Sequence, residues 1–146
     1  MKKEKRNGIG RLNLNVKGRF SDYLIVRKPM KTALSISQLE TEFKSSDFVL
    51  KTQHQIAKDF GTSGIDFSSD FSANPLSYLE LIDAVGEKLG ELMTIGESQT
   101  LQLLYQIDIP QQDFLSLTSD PDFINKMSAL IVKREAYKIY LRTKFS

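Results

Sequence analysis

Residues 76–95 read LSYLELIDAVGEKLGELMTI, and this stretch decides the fold. Leu79, Ile82, Gly86, Leu89 and Met93 follow one another at alternating steps of three and four, and Tyr78, Leu81, Val85 and Leu92 widen the line into a stripe. That spacing places the apolar side chains on one face of a helix. Asn74-Pro75 and Ser77, three residues before Glu80, predict its start, because hydroxyl and carboxylate at that spacing each satisfy a free N–H of the first turn. Gly96 predicts its end.

The same periodicity continues outward. Ser98 to Asp108 carries Leu101, Leu104 and Tyr105 on one side with Leu103 and Ile107 beside them, and Pro110 closes the run. Gln111 to Leu117 holds Phe114, Leu115 and Leu117. Asp120-Pro121 then supplies a cap and a preset first helical residue. In the last segment Phe123, Met127, Leu130, Tyr137 and Leu141 keep the helical step, flanked by Ile124, Ile131 and Val132, with Arg134 standing where an apolar residue is expected. Short connections favour antiparallel neighbours, so residues 75–146 are expected to form an antiparallel three- to four-helix bundle in a mainly α protein. Gly86 and Gly90, one turn apart, are candidates for close approach of a neighbouring helix.

LLYQIDIP, followed by an apolar run ending in REAYKIYLR, resembles a group of small, mainly helical, uncharacterised bacterial proteins. The resemblance covers roughly Asn74 to Lys144 and rests on core leucines with Asp108, Arg134 and Glu135. It implies a fold and no activity.

At 146 residues the chain suits one domain with appendages. It holds no cysteine, which excludes disulfides, thiolate metal sites and a thiol nucleophile. The opening MKKEKRNGIG lacks the apolar run of a signal peptide, and no later segment has the apolar length of a membrane helix, so a cytoplasmic location is expected. Net charge is only +2, yet the charges are segregated. Residues 1–31 hold ten Lys or Arg against Glu4 and Asp22, residues 32–125 hold four against fifteen acids, and residues 126–146 hold six against Glu135. The three blocks therefore carry +8, −11 and +5, an asymmetry that points to charged partners.

Residues 1–31 form a basic arm in which Leu12, Leu14 and Val16 alternate with Asn13, Asn15 and Lys17, a strand period that with Tyr23–Val26 suits a β-hairpin. Residues 32–61 are expected to be a short helical segment, with Ser37 and Glu40 as one start and a run from Ser46 that Gly61 ends. Residues 62–74, rich in Ser, Gly and Asp, look like a linker at a domain boundary.

Motifs of catalysis are weak. His54 is the single histidine and lacks a neighbouring partner, so it is expected at the surface. Asp59-Phe60-Gly61 matches a kinase triplet without the rest of the kinase signature, and Gly61-Thr62-Ser63-Gly64 lacks the lysine of a P-loop. Glu80, Asp83, Glu87 and Glu91 make an acidic stripe with no Glu-x-x-His to build a metal site, so it is expected to be solvated or to meet Lys126, Lys133 or Lys138 of the last helix, or the basic arm. No metal or cofactor is expected.

Two charges interrupt apolar patterns, Asp108 and Arg134. They are expected either to approach each other at the edge of the core or to act separately, Asp108 as a cap of the following helix and Arg134 as a long side chain with its head in water. In the arm, Arg11, Lys17, Arg19, Arg27 and Lys28 with Phe20 and Tyr23 have the makings of a phosphate-tracking, base-stacking surface. The reading placed first is a non-catalytic protein-interaction module or complex subunit, docking an unidentified protein through Phe67, Phe71 or the edge of the Leu12–Val16 strand. A nucleic-acid-associated role through the arm is the alternative. An enzyme comes last, since its site would have to be gathered from carboxylates and hydroxyls across helices.

Overall fold

The computed structural model describes residues 35–145, and every regular element in that span is a helix. In chain order these are α1 (Ile36–Glu42), α2 (Ser46–Thr62), α3 (Ser69–Ala73), α4 (Tyr78–Ile95), α5 (Glu97–Ile107), α6 (Gln111–Leu117) and α7 (Phe123–Phe145). The β-hairpin expected in residues 1–31 lies outside the described residues. None of the described helices is long and apolar enough to cross a membrane.

α7 is the centre of the fold. It packs most extensively on α4, then on α2, and also meets α5 and α6. From Met127 to Tyr137 it is buried on almost every side, with Met127, Ile131, Val132 and Ala136 fully enclosed. α4 brings Leu81, Val85, Leu89 and Leu92 to that core, and α5 brings Leu103, Leu104 and Ile107. Burying one such side chain contributes roughly 1.5–3 kcal/mol, so these three helices carry most of the apolar driving force. Phe114 on α6 meets Phe123 edge-to-face with ring centroids 5.5 Å apart, which seats the start of α7.

Local signals set the helix ends. Ser77 Oγ accepts from the Glu80 amide at 3.2 Å and Glu80 Oε1 accepts from the Ser77 amide at 2.9 Å, the reciprocal cap that the sequence predicts. At α1 the equivalent box is Ser35 with Gln38, not Ser37 with Glu40, because a Gln amide at the third position reaches back as well as a carboxylate. α2 continues through Gly61 to Thr62, and the left-handed turn after it falls on Gly64 with φ 85°.

The Ser/Gly/Asp-rich stretch at 62–74, where composition suggests a boundary, runs inside one compact unit formed by residues 35–146. It contains α3 and is fastened to α2. Gln53, fully buried, donates from Nε2 to Phe71 O at 2.5 Å and Asn74 O at 3.0 Å, while its Oε1 accepts from the Leu76 amide at 2.8 Å. Phe67, half-buried, stacks on the buried Phe71 at 4.1 Å and meets Phe60 edge-to-face at 5.4 Å, so both aromatics pack within the protein's own fold.

Candidate functional site

Where α2, α5 and α7 meet, two buried carboxyls are gathered with a half-buried lysine. Asp59 on α2 is 4% exposed and Glu135 on α7 is fully buried. Lys138, one turn beyond Glu135, places Nζ 3.0 Å from Asp59 Oδ2 and 3.0 Å from Glu135 Oε1. The first is a directed hydrogen bond, whereas the second is close but poorly aligned for one. Gln55 donates to Asp59 Oδ1 at 3.0 Å, and Gln106 on α5 reaches the same oxygen at 3.4 Å.

Burial pushes the Glu135 carboxyl up to about 9, with the neighbouring Asp59 charge adding to the shift against the pull of Lys138. Burial also acts to raise Asp59, but the neighbouring Glu135 carboxyl and the hydrogen bonds from Lys138 and Gln55 outweigh it and hold that carboxyl below its ordinary value. Lys138 is raised, because the two carboxyls outweigh its own burial. At neutral pH the set is therefore a neutral Glu135, an anionic Asp59 and a cationic Lys138, with no net charge. A buried set of this kind avoids most of the penalty of an isolated ion.

Next to it, Arg134 Nη2 donates to Asp108 Oδ2 at 2.6 Å. The Arg134 side chain is 9% exposed and that of Asp108 54%, so the pair stands at the edge of the core. Its guanidinium also lies 5.7 Å from the Tyr137 ring. Asp108 is not the N-cap residue of the following helix. It closes α5 in the left-handed region, φ 78° and ψ 43°, and Pro110 occupies the cap of α6. Short polar side chains tolerate that conformation better than others do.

A second feature lies on the outside. Between α4 and the start of α7 runs an open groove of about 720 Å³, whose walls include Ile82, Asp83, Glu87, Asp122, Ile124 and Ser128. Gly86 lets the two helices close together at its floor, since a Cβ there would lie 3.1 Å from Ile124 Cγ2 and 3.2 Å from Ser128 Oγ. Gly90, one turn on, faces open space and has no such role. Leu79, on the same face of α4 by helical step, is 72% exposed, and Ile124 is 37% exposed.

Of the residues singled out from sequence, Asp108 and Arg134 are brought together, while Arg11, Lys17, Arg19, Phe20, Tyr23, Arg27 and Lys28 lie outside the described residues. His54 is exposed, its Nε2 2.7 Å from Ser72 O. Lys126 pairs with Asp120 at 2.6 Å and Lys138 with Asp59, so neither is spent on the acidic stripe of α4. Sequence reasoning missed the Asp59–Glu135–Lys138 set. Its one legible signal is that Glu135, directly after Arg134, lies among Ile131, Val132, Ala136 and Ile139. No family model, no curated protein and no solved structure matches the chain.

Proposed function

We propose that this chain is a non-catalytic protein-interaction module, a subunit whose helical bundle holds a partner protein in the α4–α7 groove. The observation that carries the reading is the groove itself, which combines carboxylates with the exposed Ile124, while Leu79, one turn before Ile82 on α4, extends the apolar surface just beyond the groove's lining. Apolar contact area rimmed by charge is what a partner surface uses. The opposite inference, acid–base catalysis by Asp59 and Glu135, is disfavoured because a substrate needs access and these carboxyls are turned into the core. In this reading the long helices form an antiparallel bundle that serves as a rigid platform. The cytoplasm, whose reducing conditions suit a cysteine-free chain, is where it works.

The test is co-purification from nuclease-treated native lysate, comparing the full chain with its Leu79→Asp/Ile124→Asp variant. Both positions are exposed enough to accept the change without unfolding, which circular dichroism checks. A protein recovered by the wild type and lost by the variant supports the proposal. Recovery that vanishes with nuclease turns the assignment to the alternative, phosphate binding by the basic residues of the arm, and recovery unaffected by the variant removes the groove from the account.

A further inference from the structure

We infer that the occupant of the α4–α7 groove is a cationic amphipathic helix of a partner protein, its Lys or Arg side chains facing Asp83, Glu87 and Asp122 and its apolar face lying on Ile82, Ile124 and Leu79. This rests on the interaction-module reading and adds the chemistry of what is bound.

Three observations carry it. The groove is bounded by two helices, and a channel of that kind receives a third helix through anchors at helical spacing. Ile82, Asp83 and Gly86 share one helix face along one wall, and Leu79, one turn before Ile82, continues that face beyond the groove.

Among the described residues the charge is uncompensated. The carboxylates of Asp83, Glu87 and Asp122 line one groove, and among the described residues no cation lines it with them. Elsewhere on α4 the acids are engaged, Glu80 on the Ser77 amide and Glu91 on Lys88 at 3.3 Å. The carboxylates of the groove have no hydrogen bond or ion pair among the described residues. Like charges gathered on a partly apolar wall repel one another, and a cationic ligand removes that repulsion while gaining attraction of its own.

The third observation is independent of the acids. Ser128, which lines the same groove, is fully buried and its Oγ has no hydrogen-bond partner among the described residues. A buried hydroxyl without a partner is uncommon in a finished interior. It stands at the floor of the groove, opposite Gly86.

The experiment titrates the full chain into a fluorescein-labelled Leu/Lys peptide of helical period and reads anisotropy. An oligolysine of equal charge and a Leu/Glu peptide of the same period serve as comparisons. The protein is used as wild type, as Asp83→Lys/Glu87→Lys, and as Asp66→Lys/Asp70→Lys, which makes the same change of net charge at exposed positions outside the groove. The Leu/Lys peptide is expected to bind the wild type, about tenfold more weakly to the groove variant and within about twofold to the other, as expected for loss of a specific charge pairing. Oligolysine bound as tightly, equal binding to all three proteins, or no binding overturns the inference. If the Leu/Lys peptide fails while the lysate partner is still lost from Leu79→Asp/Ile124→Asp, the groove stands as a docking face and only the cationic helix is wrong. If that variant keeps its partner, the interaction-module reading falls with it.

Discussion

Lys138 on α7 donates to Asp59 on α2 at 3.0 Å, joining side chains 79 positions apart in the chain, with Glu135 enclosed beside them. The bond ties the central helix to the one that precedes α3 and α4. Lys138→Met removes the only cation of the set and leaves the Asp59 carboxylate buried beside a second carboxyl. Breaking a buried pair on one side commonly costs 3–5 kcal/mol, and the partial exposure of Lys138 moves the expectation to about 2–3 kcal/mol. Urea unfolding of the variant measures it, and a loss below about 0.5 kcal/mol would show that the pair contributes little.

Glu135 gives the stability a defined pH dependence. Its folded value is raised from 4.5 to about 9, so between those values the native protein holds a proton that the unfolded chain has released. Its contribution is whole below about pH 4.5 and declines as pH rises toward 9, by at most about 1.4 kcal/mol per unit. Asp59 acts the other way, because its folded value is lowered and its contribution is lost only as pH falls through the acid range. Lys138, raised, contributes until pH climbs above its ordinary value of 10.5. Glu135→Gln keeps the shape and an N–H donor near Asp59 while removing the titration. Melting temperature against pH is expected to slope downward from pH 5 to 9 in the wild type and to be nearly flat in the variant. Parallel curves would place the proton elsewhere.

Asp108 serves two purposes that substitution separates. Ala loses the bond to Arg134 and retains a Cβ in the left-handed region, whereas Gly loses the bond but relieves the backbone. Asp108→Ala is expected to lower stability by about 1–2 kcal/mol and Asp108→Gly by about 1 kcal/mol less than that. Denaturant midpoints of both variants give the order, and Ala at or above Gly would contradict a conformational role for this position.

Two glycines on one helix are expected to behave differently. At Gly90 an added methyl meets open space, so Gly90→Ala should stabilise by about 1 kcal/mol through helix propensity. At Gly86 the methyl meets Ile124 and Ser128 at 3.1–3.2 Å, and crowding should cancel most of that gain. Thermal melts of the two variants make the comparison, and an equal rise in both would mean that α4 and α7 separate easily at the groove floor.

The helices of the C-terminal half were legible because their cores repeat at helical spacing and their starts carry ordinary caps, as at Ser77 and Glu80. The sequence marks Asp108 and Arg134, since each breaks an apolar pattern, but it leaves open whether they pair or act separately; their bond is seen only in the structure. The Asp59–Glu135–Lys138 set was not legible. In sequence, a Glu followed three residues later by a Lys looks like an exposed pair along a helix, and only the placement of α7 inside a ring of other helices puts Glu135 in the core. The stretch from 62 to 74 misled through composition. Its Ser, Gly and Asp residues read as a linker, but it contains α3, and nothing local says that Gln53, well before it, spends its whole amide fastening the stretch down.

The central claim is that the α4–α7 groove is where this protein meets its partner. It is tested most directly by placing a photo-crosslinking side chain at Leu79, at Ile124 and, on a different helix, at Tyr105, then irradiating the nuclease-treated native complex. Tyr105 is 85% exposed on α5 and does not line the groove. The account predicts one shared protein adduct at positions 79 and 124 and none at 105. An adduct at 105 with positions 79 and 124 silent would contradict it.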